Sequence, residues 1–291
     1  MTPPPVLGTL TARTRDGVEV RALLTEPAAP PRAPRASVLC LPAMGVTARY
    51  YRGVAAALAA RGLAVACLDL RGNGDSDVRI RRGADFGYWQ HVWDVDAAAA
   101  ALRRRFPDAP LLLLGHSLGG QLGALQLATS PGSAAGLVLV AAGTPYWRTR
   151  RFPEPLRVLA GTQTALLVAT ALGYFPGNFF GFGGTQPAGV IRDWAALSRH
   201  GRFDLRGADR ELEPLLAQVT VPVLSISLAD DWYSPRRAAD HLVGKLTRAP
   251  VERRHVRLPD DRSAKSPHFR WTRHPDAIVP LIEGWMTRHD L

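Results

Sequence analysis

Leu111–Ala128 reads LLLLGHSLGGQLGALQLA. The four leucines form a short, wholly apolar run, the pattern of a strand buried on both faces. Gly-His-Ser-Leu-Gly follows at 115–119, and then small and apolar residues at helical spacing. A G-x-S-x-G string between an apolar strand and a helix is the pattern of a nucleophile elbow, where a serine sits on a sharp, strained turn. The residues two places before and after that serine press against neighbouring backbone, which Gly115 and Gly119 tolerate because they lack a Cβ. Gly120, Gly123 and Ala124 let the helix lie close to the sheet. Such a bend holds the Ser117 hydroxyl clear of the sheet, beside helix N–H groups that favour developing negative charge. Ser117 is therefore the candidate nucleophile.

The rest of the chain sets this elbow in a repeating order. Two β-rich runs, about 7–15 and 18–26, meet at Arg15-Asp16-Gly17, and a Pro/Ala/Arg loop follows at 27–36. Strand-like and helix-like runs then alternate: SVLCL, RYYRGVAAALAARG, AVACLDL, WQHVWDVDAAAAALRRRF, LLLLG with its helix, and GLVLVAA. Short apolar strands between amphipathic helices predict a parallel sheet covered on both faces. The rhythm breaks over 144–218, which holds no convincing strand but many aromatics, glycines and prolines. It resumes with VPVLSIS, SPRRAADHLVGKL, VERRHVRL and PDAIVPLIEGWMTR. The expected organisation is a first core part at 1–143, a mainly helical insertion at 144–218 and a second core part at 219–291.

Composition narrows the class. With 291 residues, 46% hydrophobic and 21% charged, the chain fits a soluble globular α/β protein. Its formal net charge of +11 is scattered rather than clustered, and Lys245 and Lys265 are the only lysines, so a nucleic-acid partner is not expected. Cys40 and Cys67 sit inside apolar runs and read as buried thiols, which excludes a disulfide framework and points to a reducing compartment. The start MTPPPVLGTL has neither a basic region nor a long apolar one, so a cytoplasmic location is expected. The run VLAGTQTALLVATALGYF at 158–175 contains Gln163, three threonines and two glycines, and reads as a buried or cleft-lining helix without stable membrane insertion.

A serine is a poor nucleophile unless a histidine takes its proton and an acid orients that histidine. Two acids follow VPVLSIS, Asp230 and Asp231. Of eight histidines, His91 and His241 fall in helices, His200 in the insertion, His255 in a strand, His289 at the tail and His116 beside the nucleophile. His268 lies in a loop after the last strand, whereas His274 precedes Pro275 and the final helix, where a capping or solvated role fits better. An oxyanion hole would use the N–H of Leu118 and a second one from the loop LPAMGVTARYY after the third strand. The segment LDLRGNGDSD reads as a tight turn braced by Asp69 and Arg71.

Taken in order, LPAMGVTARYYRGVAAALAARG, DLRGNGDSD, GHSLGGQ, ADDWYSP and HFRWTR resemble the α/β-hydrolase superfamily over nearly the whole chain. More narrowly, GTPYW, YFPGNFFGFG, VIRDWAALSRHGRF and PHFRW look like bacterial α/β hydrolases related to serine aminopeptidase-like and monoglyceride lipase-like proteins. The resemblance implies an α/β-hydrolase fold with about eight mostly parallel strands, helices on both faces and a helical lid inserted after strand six. It implies Ser117, Asp231 and His268 as a catalytic triad, Asp231 being the acid that fits the Asp-x-x-x-Pro pattern of the loop. Pro42-Ala43 departs from the usual His-Gly, which leaves Met44 as the second oxyanion donor beside Leu118, with Gly45 in its place if the turn shifts by one. The implied activity is hydrolysis of a small-molecule carboxyl ester or thioester, with neither metal nor organic cofactor. Trp147, Phe152, Tyr174, Phe175, Phe179, Phe180, Phe182 and Trp194 would form an apolar pocket over the serine. The same triad also serves acyl transfer or carbon–carbon bond hydrolysis, and a silent binding protein would keep the fold without the chemistry.

Overall fold

The apolar runs become strands whose order places the elbow at the centre of one sheet. The computed structural model describes residues 6–27, 33–260 and 266–291; the readings made of the first five residues, of 28–32 in the Pro/Ala/Arg loop and of Lys265 lie outside them. The first half of the chain runs β1 (Val6–Arg13), β2 (Glu19–Glu26), β3 (Ala36–Leu41), α1 (Arg52–Ala59), β4 (Leu63–Asp69), α2 (Tyr88–Arg105), β5 (Leu111–His116), α3 (Leu118–Thr129) and β6 (Gly136–Val140). The second runs α4 (Glu154–Leu172), β7 (Tyr174–Pro176), β8 (Thr185–Pro187), α5 (Ala188–His200), α6 (Leu212–Leu216), β9 (Val223–Leu228), α7 (Arg236–Val243), β10 (Val251–Val256), α8 (Pro267–Arg270) and α9 (Pro275–Arg288).

Eight strands pair in the order β1-β2-β4-β3-β5-β6-β9-β10. β2 alone runs against the rest, pairing antiparallel with β1 and β4, while every other pair is parallel. This is the α/β-hydrolase fold. Strands β3 to β6 and β9 are buried along their whole length, as strands covered by helices on both sides must be. The edge strands differ: β1 is largely exposed, and β10 carries Glu252, Arg253 and Arg254, charges that discourage pairing with another chain. One core packs α2 and α3 on the sheet, and a second packs α1 and α9 on the opposite face. Cys40 and Cys67 lie side by side in register between β3 and β4, buried and free of any disulfide. Hydrogen bonding to Cys67, together with burial, pushes the Cys40 thiol well above its usual range.

Between β6 and β9 the chain leaves the sheet for the segment that holds α4, α5 and α6. It is mainly helical, but Tyr174–Pro176 and Thr185–Pro187 pair as a small antiparallel hairpin, correcting the reading that it holds no strand. Three-residue strands ending in proline are too short to show a period of two, which is why the sequence pattern hides them. The run expected as a buried or cleft-lining helix at 158–175 falls mainly in α4 and takes the second form, with Val158, Thr162, Ala165 and Val168 lining a cavity. α4 buries one stripe, Val158, Thr162, Ala165 and Ala169, and leaves Leu156, Leu167 and Leu172 exposed. Among the described residues it is the one helix long and apolar enough to cross a membrane.

The elbow is as tight as its glycines require. Ser117 has φ 52° and ψ −115°, outside the regions that side chains favour. A Cβ on Gly119 would stand 2.1 Å from the Leu41 carbonyl oxygen, and one on Gly115 would stand 2.4 Å from the Cα of Gly120. Both obstacles are backbone and cannot swing aside. Gly119→Ala should therefore destabilise the fold by about 1–3 kcal/mol, the usual cost of forcing atoms into a filled space. Gly161→Ala, where an added Cβ meets nothing within 4 Å in the middle of α4, should instead stabilise it by about 0.5–1 kcal/mol. Urea denaturation of the two variants reads the contrast in sign.

Candidate active site

Three loops at the carboxyl ends of the strands converge on the elbow. Ser117 donates its backbone N–H to the Val140 carbonyl of β6 at 3.3 Å, and its own carbonyl accepts from Gly120 at 3.0 Å. Leu118 is the first residue of α3, so its N–H is one that the helix cannot use itself. The loop after β3 brings Met44 to the same place, where Ala43, Met44, Ser117, Leu118 and His268 line one cavity. Asp69 holds that loop in position, its carboxylate accepting from the Ala48 N–H at 2.7 Å and the Asp75 N–H at 3.1 Å. Burial raises the Asp69 carboxyl above its usual value despite these donors. Arg71 braces more distant parts: its backbone N–H and guanidinium engage buried Asp94 of α2 at 3.0 and 2.8 Å, and its other end reaches Asp16 in the β1–β2 turn.

The acid and the imidazole meet across the second half of the chain. Asp231 Oδ2 lies 2.8 Å from His268 Nδ1, and both side chains are buried. Asp231 Oδ1 accepts from the N–H groups of Tyr233 at 2.9 Å and Ser234 at 3.1 Å, which fixes the carboxylate while it faces the ring. Asp230 points the other way, to exposed Arg257 at 2.6 Å. His268 stands in the short helix α8, whose N-cap Ser266 accepts its N–H at 3.3 Å. His274 is the N-cap residue of α9. With Nδ1 turned to Asp231, a neutral His268 ring keeps Nε2 bare for a proton. The Ser117 hydroxyl makes no hydrogen bond among the described residues and shares the cavity wall with that ring.

His116, set aside in the sequence as merely adjacent to the nucleophile, proves to join all three loops. Its Nε2 lies 2.8 Å from the His268 carbonyl oxygen, which can only accept, so Nε2 carries the proton. Nδ1 then accepts from the Tyr51 hydroxyl at 2.8 Å, and that hydroxyl accepts from the Ala43 N–H at 2.9 Å. One buried chain of hydrogen bonds thus runs from the loop after β3, through the elbow, to the backbone of His268. Burial, and secondarily the neighbouring His268, holds the His116 pKa well below the usual imidazole value. Burial pushes the Tyr51 hydroxyl well above its usual value and keeps it a donor. No signal in the sequence separates this histidine from an ordinary core residue, because its partners lie 65 and 152 positions away.

The cavity has a volume of about 530 Å³ and is mostly apolar. Of the eight aromatic residues expected there, Phe175, Phe180, Phe182 and Trp194 line it. Phe152 and Phe179 are 81% and 86% exposed. Trp232 and Tyr233, from the loop that carries the acid, and Phe269, beside the imidazole in α8, complete the aromatic wall. Phe182 stacks on Tyr233 at 5.9 Å, and Tyr233 lies 5.1 Å from the His268 ring. Asp193 of α5 ties the inserted segment to the core by accepting the Tyr88 N–H at the start of α2, 2.8 Å away; burial raises its carboxyl to about 6. No group of three or more His, Cys, Asp or Glu side chains able to hold a metal ion occurs among the described residues.

The chain is similar to known proteins. The family described as serine aminopeptidase, S33, matches residues 32–196, more than half of the chain. Human monoglyceride lipase is 32% identical over 111 residues, which is 38% of this chain and 36% of that enzyme, so the match spans about a third of its length. A thermostable carboxyl esterase from Bacillus coagulans, solved in complex with glycerol, superposes with a TM-score of 0.63 over 97% of this chain and 99% of that one, at 17% identity. A thioesterase domain from the curacin biosynthetic pathway gives 0.61 over 96% and 99%, also at 17%. At such identities these two likenesses establish the shared fold.

The buried neutral His116 makes stability depend on pH with a definite sign. Its folded pKa is depressed, so the unfolded chain takes up a proton that the folded chain refuses. The contribution is complete above the ordinary histidine value of about 6.5 and is lost as pH falls below it, at about 1.4 kcal/mol per pH unit. In urea denaturation between pH 7.5 and 5.0, His116→Gln should lack this component of the slope that the parent protein shows.

Proposed function

The chain belongs to the serine aminopeptidase S33 family of α/β hydrolases, and from that premise we propose that it cleaves a carboxyl ester or thioester through an acyl-enzyme on Ser117. The observation that carries this reading is the buried 2.8 Å contact between Asp231 and His268 at the wall of a cavity that Ser117 also lines. His268 Nε2 takes the Ser117 proton as Oγ attacks the carbonyl carbon, and Asp231 holds the ring and stabilises the imidazolium that forms. The N–H groups of Leu118 and Met44 receive the charge that develops on the carbonyl oxygen. His268 then returns its proton to the leaving alkoxide or thiolate. A water activated by the same imidazole releases the acid. Ser117 and His268 come within hydrogen-bond reach when substrate enters, since such contacts are often long before the site is filled.

The segment 144–218, between the two core parts 1–143 and 219–291, acts as a lid. Its Phe175, Phe180, Phe182 and Trp194 wall the cavity above the elbow, and an apolar roof of this kind excludes water from the acyl-enzyme. An ester or thioester suits this cavity better than a peptide with a free amino terminus. No carboxylate lines it among the described residues, so nothing there offers a counter-charge to an ammonium group. The proposal includes a cytoplasmic setting and a small-molecule rather than a nucleic-acid partner.

A fluorophosphonate probe should label the folded protein at Ser117, and Ser117→Ala should abolish labelling while leaving the thermal transition in place. Ester cleavage by that variant should fall by about four to six orders of magnitude, and by about four in Asp231→Asn. Unlabelled Ser117, or turnover that survives Ser117→Ala, would identify the fold as a binding scaffold or place the chemistry elsewhere.

A further inference from the structure

One charge in the cavity wall lacks the partner that burial demands. Arg150, at the start of the inserted segment, is 8% exposed and lines the cavity. Its guanidinium donates to the carbonyl oxygens of Trp232 and Tyr233, the latter at 2.7 Å, and lies 5.4 Å from the Trp232 ring centroid. Its Nε–H is buried with no hydrogen-bond partner, and no carboxylate comes within 4 Å of the group among the described residues. Two carbonyl dipoles and a ring face are weak compensation for a buried cation, since buried charges are ordinarily paired. Burial in fact draws the Arg150 guanidinium below its usual pKa, against the more distant pull of Glu154 and Asp231. Asp231 is committed to His268, Tyr233 and Ser234.

A second polar group without a partner lies beside it. Ser234 follows the carbonyl that Arg150 holds, lines the same cavity, and has a buried Oγ with no hydrogen bond. A Cβ built on Gly143 would stand 2.7 Å from that Oγ, and the Gly143 carbonyl accepts from Gln121 Nε2 at 2.7 Å. Gln121 is one helical turn beyond Ser117, an axial rise of roughly 6 Å. Its free Oε1 is an acceptor, so an anion would be held on the Arg150 and Ser234 side. These contacts set the Ser234 Oγ against Gly143, in the wall of the cavity that Arg150 and Ser117 also line.

We propose that Arg150, with Ser234, forms a subsite for a carboxylate on the substrate, so that the enzyme acts on esters or thioesters of acidic rather than wholly neutral molecules. Arg157 also lines the cavity but is exposed to solvent, so the buried wall offers one guanidinium, which matches the single charge of a carboxylate better than a doubly charged phosphate monoester. The largely apolar remainder of the cavity holds the hydrocarbon between the acidic group and the reacting carbonyl. This inference rests on the hydrolase reading above, and the test separates the two.

Two matched pairs of esters place the charge on either side of the scissile bond: 4-nitrophenyl hydrogen adipate against 4-nitrophenyl hexanoate, and 4-carboxyphenyl hexanoate against 4-carbamoylphenyl hexanoate. The parent protein should prefer the carboxylate in at least one pair by about ten- to a hundredfold in kcat/KM, the range of a charge-assisted hydrogen bond. Arg150→Gln should collapse that ratio towards one, and Arg150→Lys should keep part of it. The ratio is the readout because loss of the clamp on Trp232 and Tyr233 slows both members of a pair together. Should the Arg150 variants fail to fold, Ser234→Ala should reduce the ratio severalfold. Calorimetric binding of the preferred ester to Ser117→Ala should show the same preference without turnover. Equal use of both members in both pairs, or a preference that survives Arg150→Gln, overturns the subsite while hydrolysis of the neutral esters upholds the hydrolase. If no ester is cleaved, the hydrolase reading fails, and absence of a carboxylate preference in the binding experiment then overturns the subsite as well.

Discussion

The approach of α3 to the end of β3 is the constraint on which the site depends. A Cβ on Gly119 would stand 2.1 Å from the Leu41 carbonyl, so the first turn of the helix is packed directly on backbone. That contact fixes where Leu118 places its N–H and forces Ser117 into its strained φ of 52°. It also brings the elbow beside the loop that begins just after Leu41 and carries Met44. Strain of this kind persists only where surrounding structure over-determines it. Here the buried strands on both sides of β5 and the Ser117 N–H bond to Val140 provide that support.

Around the elbow, burial sorts the polar groups into fixed roles. Taking a group from water disfavours its charged form, which makes His116 a neutral relay and Tyr51 a permanent donor. Each donor in the chain from Ala43 to the His268 carbonyl therefore has one acceptor, and the geometry has no competing proton arrangement. Asp231 differs because it gathers two backbone donors as well as the imidazole. These contacts fix the carboxylate with Oδ2 facing the ring.

How much of this was legible in the sequence followed from how local each signal was. The elbow, the alternation of strands and helices, and the candidates Ser117 and His268 were readable because glycine spacing and apolar runs act over a few residues. The choice between Asp230 and Asp231 leaned on resemblance, since both acids follow the same strand; in the structure a φ of 60° at Asp230 sends the two side chains different ways. The hairpin of β7 and β8 was too short to leave a periodic trace. α4 was readable as an apolar helix, but hydropathy left open whether it is buried or lines a cleft; in the structure one side lines the cavity and three of its leucines are exposed. His116 and Arg150 left no trace at all: what marks them is a set of contacts from residues distant in the chain, or the lack of one.

Core and insertion divide the work along chemical lines. In the proposed mechanism the strand ends supply the groups that move protons and receive charge, and these are held by backbone contacts that tolerate little change. The insertion supplies most of the wall, and it is seated on the core by Val190, Leu197, Leu212 and Leu216 as well as by the contact of Asp193 with Tyr88. Arg150 crosses this division. It stands in the insertion, yet it grips the two carbonyls that immediately follow Asp231. A negative charge placed on its free edge would complete the pairing of a buried cation and strengthen its hold on that loop at the same moment. The segment that selects the substrate would thereby also steady the acid that orients the imidazole, so that recognition and catalysis would share one guanidinium.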